Sequence, residues 1–473
     1  MIQQQPTTPP TNQPTMFINK LSSFAFSSLN LLQTTTTLVF KMFLRIINEI
    51  NTNNHLSVYL NAVPVLLLVL FIIFFISIKI MHPFWSFHPM FHTYDVWRYF
   101  CKTPYVVQKV HPLKNKFFSG WEKVQTYTHQ DISDDQMSSF LNLVQCYYVY
   151  SENALCVINK KTLNGYFTGQ NNSSYISFYT PTNIVSSCSA CISSRSCLFL
   201  YKHNKQWETH NAYYIDFFSG NKKHKNRVFY ELFSSHIYHQ LSMNKNVKIT
   251  FFKKENILCK GIVPFIQYTT HLFLLKNMMF DKLPQHTTIQ TINNKNKDLL
   301  MNFLDIVTKH NTNLHFSFFV IPDVGVLLSL MQMNILHIFC LKMNEDVLGY
   351  YFFKNMHIEQ EGFQSPFTPP TPPTTTGVGE GNTLSFVASY CNTQNIHLFY
   401  LGFLHSLRNI LTTNPHFCLL LFDVLSDNSL ILNIWKKTHT TPINVSNTQN
   451  AYYLHNFIFP QSPKMAMDCF VLV

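Results

Sequence analysis

Charged side chains are scarce in this sequence. They make up 12% of the 473 residues, and the 23 acidic residues are outnumbered by 35 basic ones, which leaves a formal net charge of +12. A basic excess suits an anionic partner such as a nucleic acid, an anionic lipid surface or a polyphosphate ligand. No nucleic-acid-binding motif accompanies the charge, so nucleic acid is the least favoured of the three.

A disulfide framework is also missing, because the 11 cysteines are scattered and odd in number. This usage favours reduced thiols in the cytoplasm. Cys188, Cys191, Cys197 and His203 lie together between Val185 and Trp207, where we expect an inserted loop. The first gap has a metal-ligand spacing, but the short second gap and the lack of another cysteine pair argue against zinc, and we predict no metal.

The start of the chain has few places to build a core. Residues 1–56 are rich in Thr, Gln, Asn and Ser, which predicts a disordered polar lead. The uncharged apolar run from Ala62 to Ile78 makes residues 57–80 a candidate transmembrane segment. Basic residues are denser after this run than before it, which places the large domain on the cytoplasmic side. Alternatively, because Met81 follows directly, the first 80 residues are an extension that the rest of the protein does not need.

The strongest local pattern runs from Tyr213 to Leu232. Aromatic and β-branched residues predict a strand, Ser-Gly-Asn and four basic residues predict a loop, and apolar spacing from Val228 predicts a helix. A basic loop that opens a helix offers N–H groups and a favourable dipole end to a phosphate-bearing ligand. A solvated corner without a ligand would show the same charge run.

This stretch resembles the acyl-CoA-binding segment of the N-myristoyltransferases, in which a strand similar to E-I-N-F-L precedes a basic loop. Ile215 to Phe218 match that strand, with Asp216 in place of the family's Asn, and Lys222 to Val228 match the loop. Further segments resemble the family in the same order along the chain: 82–90 (HPFWSFHPM), 130–152, 175–184, 386–392 (FVASYCN), 419–432 and 451–473.

The resemblance implies an α/β fold of two duplicated acetyltransferase-like (GNAT-type) halves around a saddle-shaped mixed sheet. Residues 81–290 would form the acyl-CoA-binding half, and residues 291–473 the peptide-binding half, with a Pro/Thr-rich loop at 364–381. The implied activity is transfer of a myristoyl group from myristoyl-CoA, a co-substrate, to the N-terminal glycine of proteins. The implied enzyme is a monomer without a prosthetic group.

The resemblance also implies roles for individual residues. Backbone N–H groups of Phe217 and Phe218 would form an oxyanion hole, and the terminal carboxylate at Val473 would accept the proton of the attacking amine. The closing letters MAMDCFVLV are apolar apart from Asp468 and have no trailing polar residues, which fits a chain end held inside the protein. The implied acyl-CoA contacts are Phe84, Trp85, His224, Lys225, Asn226, Arg227 and Val228, and the implied peptide contacts are Asp216, Ser389 and Asn392.

Two other functions stay open from the sequence. One is a catalytically degenerate scaffold that binds acyl-CoA or lipid, and the other is a membrane-anchored N-acetyltransferase that prefers short acyl chains.

Overall fold

The computed structural model describes residue 41 and residues 56–110, 122–149, 154–181, 188–204, 206–221, 226–256, 258–275, 280–308, 315–360, 381–437 and 443–473. The chain divides into two compact units, Met1–Ser86 and Phe87–Val473. Most of the predicted polar lead, the basic residues 222–225 and nearly all of the predicted Pro/Thr-rich loop lie outside the described residues.

The first unit contains helix α1, Leu56–Met81. Its described side chains are those of residue 63 and residues 66–81. Across the described part of the chain, no helix combines the length and the apolar character that a membrane crossing requires. The predicted transmembrane segment at 57–80 is therefore helical but finds no support as a membrane span.

The described residues of the second unit form both helices and strands. Its described α-helices are α2 Val96–Tyr99, α3 Asp134–Tyr147, α4 Lys160–Gly165, α5 Asn226–Met243, α6 Asp298–Thr308, α7 Val324–Gln332, α8 Ile396–Thr413 and α9 Asn428–Trp435.

Its described strands are β1 Tyr105–Val106, β2 Val124–Thr128, β3 Ala154–Cys156, β4 Tyr175–Tyr179, β5 Ala190–His203, β6 Gln206–Gly220, β7 Ile249–Glu255, β8 Ile266–Leu274, β9 Thr287–Ile292, β10 Phe318–Pro322, β11 Leu336–Met343, β12 Asp346–Asn355, β13 Ile358–Gln360, β14 Thr383–Cys391, β15 Leu419–Asp423, β16 Ile443–His455, β17 Phe457–Ile458 and β18 Cys469–Val471.

Fourteen of the described strands form one mixed sheet. Its main path runs β18-β10-β5-β6-β7-β16-β8-β15-β14-β12-β11-β9, and β4 joins β2 to β5 beside that path. The pairs β10–β18, β6–β7 and β14–β15 are parallel, whereas the other pairs in the sheet are antiparallel. The predicted duplication into two acetyltransferase-like halves stays a prediction.

Local sequence signals explain several of these elements. Helix α3 begins after Ser133, whose hydroxyl accepts from the Gln136 N–H while the Gln136 side chain accepts from the Ser133 N–H. This capping box satisfies donors that the first helical turn would otherwise leave unpaired. Behind the cap, Met137, Phe140 and Val144 recur at helical spacing and are buried against the sheet. Within the segment 130–152 that resembles the family, the described helix spans Asp134–Tyr147.

One expectation was wrong. The described residues between Val185 and Trp207 do not form an inserted loop, because Ala190–His203 is β5, a buried strand that pairs with β4, β6 and β10. Cys191 and Cys197 lie within it, and their thiols donate to the carbonyls of Phe217 (3.8 Å) and Ala212 (3.5 Å) on β6. These two cysteines are packing residues of a central strand. Within the described ranges, no group of three or more His, Cys, Asp or Glu side chains could hold a metal ion.

Two glycines let the segment after α4 touch the start of α7. A Cβ atom on Gly325 would lie 2.2 Å from the carbonyl oxygen of Gly169, and one on Gly169, whose φ is +81°, would lie 2.5 Å from the carbonyl carbon of Gly325. Both obstacles are backbone, which cannot rotate away as a side chain could. Gly325→Ala is therefore expected to lower the free energy of unfolding by about 1–3 kcal/mol in urea titrations.

The matched control for that substitution is Gln332→Ala at the exposed end of the same helix. It is expected to change the free energy of unfolding by less than about 0.5 kcal/mol. Equal stability of the two variants would contradict the close backbone approach at Gly325.

Candidate functional site

The site begins at an irregularity in β6. Ser193 pairs with Asp216 and Cys191 pairs with Ser219, so Phe217 and Phe218 together stand opposite the single residue Ile192 of β5. This is a β-bulge, and Phe217 adopts the left-handed conformation with φ +49°. Bulges redirect backbone and side chains and recur beside active sites. The bulge falls at the two residues whose N–H groups would form an oxyanion hole according to the family resemblance.

The two bulge residues face different neighbours. The buried ring of Phe217 packs 5.3 Å from the rings of both Tyr148 and Tyr166. The ring of Phe218, 37% exposed, packs instead against Phe229 and Phe233 of α5. At the bulge, therefore, the Phe217 ring lies in an aromatic interior, whereas the Phe218 ring lies on the side of the sheet that helix α5 covers.

A buried ion pair adjoins the bulge. The guanidinium of Arg195 on β5 donates to Oδ2 of Asp216 at 2.5 Å, and the two side chains are 3% and 8% exposed. The Tyr148 hydroxyl and the Phe217 N–H both donate to Oδ1 of Asp216, at 2.9 and 2.8 Å. Asp216 thus accepts three hydrogen bonds. One of them comes from the Phe217 N–H, so this predicted oxyanion donor is already engaged in this structure.

A second cation stands beside this pair. The Nζ atom of Lys354 on β12 lies 5.1 Å from the centre of the Tyr166 ring, and the guanidinium carbon of Arg195 lies 5.0 Å from the same centre. Both distances fall within the range of cation–π attraction. Lys354 also donates to the main-chain oxygen of Val473, with a distance of 3.3 Å. The Tyr166 ring therefore connects the bulge, the ion pair and the last residue of the sequence.

The final residues are held inside the protein. Strand β18 pairs in parallel with β10, and the Leu472 N–H donates to the carbonyl of Val320 at 2.8 Å. Phe470 and Leu472 enter the core that contains Phe217. Most chain ends fray in solvent, whereas here backbone pairing and apolar packing fix the residues that lead to Val473.

Electrostatics in the cluster follow from burial and neighbouring charges. Burial alone would raise the pKa of Asp216, but Arg195, Lys354 and the donated hydrogen bonds together hold that pKa below its usual range. Burial lowers the pKa of Lys354 to about 8, although Asp216 acts in the opposite direction. Burial, followed by the charge of Asp216, raises the pKa of Tyr148 well above its ordinary value. At neutral pH the cluster therefore holds an ionised Asp216 and a protonated Lys354.

Further charged groups lie within electrostatic range of the same interior. The Nζ atom of Lys253 on β7 contacts Oε1 of Glu255 at 2.7 Å. Asp423 on β15 is buried and accepts from the Thr270 hydroxyl at 2.5 Å, and burial raises its pKa. Both Lys253 and Asp423 influence the titration of Lys354. Charged side chains from β5, β6, β7, β12 and β15 thus converge on one region of the sheet.

The residues predicted to contact acyl-CoA lie in different parts of the chain, and their role stays a prediction. Helix α5 begins at Asn226, directly after the basic loop, and continues through Arg227 and Val228, as the sequence predicts. Arg227 forms an ion pair of 2.7 Å with Glu231 one turn later. His224 and Lys225 lie outside the described residues. Phe84 and Trp85 belong to the first unit, where their rings pack edge to face at 4.6 Å.

The predicted peptide contacts Ser389 and Asn392 take part in the packing of the second half. Ser389 is buried, and its hydroxyl donates to Oδ1 of Asn428 at 2.7 Å. Asn392 is exposed, and its side chain donates to the carbonyl of Val347 at 3.1 Å. Neither side chain lies in the cluster around Asp216. Their role in peptide binding stays a prediction.

Sequence reasoning missed Arg195, Lys354, Tyr148 and Tyr166. Arg195 and Lys354 are each embedded in an apolar or Ser-rich strand, and a charge within such a run is a signal, since charges are rarely buried without a partner. Tyr148 and Tyr166 carry no comparable signal, because a tyrosine at a helix end is more often a packing residue.

Comparisons with known proteins place the fold. No protein-family model matches the sequence, and no curated protein matches it. The class of fold is α/β with one large mixed sheet. The particular fold is similar to that of N-myristoyltransferase from Saccharomyces cerevisiae, which confirms the α/β fold with a mixed sheet that the resemblance predicted.

Three crystal structures of the yeast enzyme carry that comparison. One with bound myristoyl-CoA is 10% identical, covers 83% of this chain and 99% of its own, and gives a TM-score of 0.58. A second with the same ligand is 11% identical, covers 81% and 90%, and gives 0.57. A third, which also contains inhibitors, is 10% identical, covers 81% and 91%, and gives 0.58.

Proposed function

We propose that this protein is an acyltransferase that moves a myristoyl group from myristoyl-CoA to the N-terminal glycine of a protein. The observation that carries the proposal is the convergence, around Tyr166, of the β6 bulge and the buried end of the sequence. The yeast enzyme that shares the fold was solved with myristoyl-CoA bound, which supports the same co-substrate here.

Direct attack needs a polarised thioester carbonyl, a neutral amine and a dry site. In the proposed reaction the bulge N–H groups of Phe217 and Phe218 polarise the carbonyl, and the apolar rings around them exclude water. The α-carboxylate of Val473 accepts the proton. The start of α5 at Asn226, together with the basic residues before it, binds the phosphates of CoA.

A second function has one specific observation in its favour. The Phe217 N–H donates to Asp216 and therefore does not point to an empty position. A protein that binds acyl-CoA without turnover could keep that bond permanently. An acyltransferase must exchange it for a bond to the thioester oxygen, or must rely on the N–H of Phe218.

The experiment is incubation of the 473-residue protein with acyl-CoAs of graded length and a glycine-first peptide, with product detected by mass spectrometry. We expect an N-acylated peptide, with most product from the 14-carbon donor. The control is the same peptide with an acetylated N-terminus, which should give none. Product from acetyl-CoA alone would instead indicate an N-acetyltransferase, and acyl-CoA binding without product at any length would indicate the scaffold.

A further inference from the structure

We propose that Lys354 is a positioning residue for acyl transfer, holding the Val473 carboxylate in the orientation in which it accepts the proton of the attacking amine. This inference rests on the proposed function and goes beyond it, since neither the fold nor the family resemblance assigns a role to Lys354.

The hydrogen bond from Lys354 to Val473 joins β12 to the end of the chain after β18, and these two strands do not pair with each other. Strand β18 stands at one end of the sheet order, whereas β12 is third from the other end. The backbone of Lys354 pairs with Leu336 on β11 and Ser385 on β14. The side chain of Lys354 therefore contacts the chain end, which the backbone hydrogen bonds of β12 do not reach.

Val473 needs such a contact. Pairing with β10 holds the chain as far as the Leu472 N–H, and the described backbone bonds of β18 do not extend to the carboxylate that follows. A carboxylate has two oxygen atoms, so one can accept from Lys354 while the other remains available to the amine. Misplacing a catalytic group by about 1 Å can cost about 100-fold in rate.

The charges around Lys354 fit a protonated side chain that has an anionic partner. The groups that act on its titration are Asp216 on β6, Arg195 on β5, Lys253 on β7 and Asp423 on β15. Two of these four are cations, and Asp216 is already paired with Arg195. The anionic partner that the proposal gives to Lys354 is the carboxylate of Val473, whose main-chain oxygen already accepts from the Lys354 Nζ atom at 3.3 Å.

The proposed step balances in atoms and charge. The acceptor nitrogen bonds to the thioester carbon, the carbon–sulfur bond breaks and CoA leaves as a thiolate. The proton lost by the amine is taken by the free oxygen of the Val473 carboxylate and is then passed to the thiolate. Lys354 keeps its own protons throughout and acts only through Val473.

The test compares Lys354→Met and Lys354→Arg in the protein that ends at Val473 and in the same protein with one glycine added after it. Lys354→Met should lower kcat for the glycine-first peptide about 10- to 100-fold, with the Kd for myristoyl-CoA unchanged. Lys354→Arg should retain most of the activity, because it keeps the charge and the donor. In the extended protein, Lys354→Met should cause no additional loss in kcat.

The pH profile gives a readout that a merely structural lysine would not change. An adjacent ammonium favours the ionised carboxylate and lowers its pKa, so its removal should move the acid limb of kcat to higher pH. The profile is measured on kcat at saturating peptide, since the peptide's own amine, with a pKa of about 7.7–8.0, titrates in kcat/KM.

The outcomes separate this inference from the proposed function. If the unmodified protein makes no acylated peptide, the proposed function fails. If it makes product but Lys354→Met leaves kcat and its acid limb unchanged, or if the losses from Lys354→Met and from the extension multiply, Lys354 does not act through Val473. Full loss of folding in Lys354→Met, seen by circular dichroism while Lys354→Arg stays folded and inactive, would also overturn the positioning role.

Discussion

Asp216→Asn is expected to lower the free energy of unfolding by about 3–5 kcal/mol, the usual cost of breaking a buried ion pair from one side. The substitution keeps an oxygen that can accept from Tyr148 and from the Phe217 N–H, so it removes mainly the charge. Arg195 is then left 3% exposed without its carboxylate. Because a guanidinium cannot lose its proton in a protein, the charge stays and its burial is uncompensated.

The double variant Arg195→Met/Asp216→Asn should recover most of that stability, because both charges are gone and methionine fills much of the same volume. The matched control is Asp134→Asn, which breaks the 2.7 Å pair with Lys160 at an exposed position and should change stability far less, because solvent screens that pair. Urea unfolding of the four proteins measures these differences. A double variant no more stable than Asp216→Asn would show that the charge of Arg195 is not the cause.

Arg195→Met alone should show the opposite dependence on pH. In the unmodified protein the pKa of Asp216 is below its usual value, so the stability it contributes is present above about pH 3.9 and is lost as the pH falls through the folded pKa. Burial is already the largest single influence on this pKa, and without Arg195 we expect it to outweigh Lys354 and the donated hydrogen bonds and to raise the pKa, so stability is lost as the pH rises. The difference in stability between the two proteins should therefore widen from about pH 4 to pH 7.

The sequence allowed the central part of the fold to be predicted because local and long-range signals agree there. The aromatic and β-branched residues from Tyr213 to Phe218 lie in β6, although the strand continues through the predicted loop residues Ser219 and Gly220, and the helical spacing that starts at Val228 lies in α5. The Ser133 cap and the apolar face behind it define α3 in the same way. The residues at the start of each of these elements indicate a strand or a helix by themselves. Each element can therefore be predicted without knowing what it packs against.

Strand β5 could not be predicted because its polar residues do not indicate that the strand is buried. The segment from Ser193 to Ser196 reads as a polar loop, yet all four residues are buried. Three are serines, and the fourth is Arg195, whose charge is compensated only by Asp216 on the neighbouring strand. A pairing between positions 21 residues apart leaves no periodic trace in either strand. Lys354 was missed for the same reason, since its partner lies 119 residues further along the sequence, at position 473.

Adding one glycine after Val473 is expected to lower kcat for peptide acylation by about 10²- to 10⁴-fold, the range that a positioned general base contributes. The extension turns the carboxylate of Val473 into an amide carbonyl, which still accepts a hydrogen bond from Lys354 but cannot take a proton. The Kd for myristoyl-CoA should not change, because the proposed phosphate contacts lie at the start of α5. Stopped-flow acyl transfer and equilibrium binding measure the two quantities separately.

The matched control is Val473→Leu, which changes the side chain at the same position and keeps the carboxylate. Its kcat should stay within a few-fold of the unmodified protein, since Val473 is only partly buried and the backbone bonds of Leu472 hold the strand in place. If the extended protein acylates peptide as fast as the Val473→Leu variant, the proton must be accepted elsewhere. Asp216 would then be the nearest anionic alternative, because it already adjoins the N–H of Phe217 at 2.8 Å.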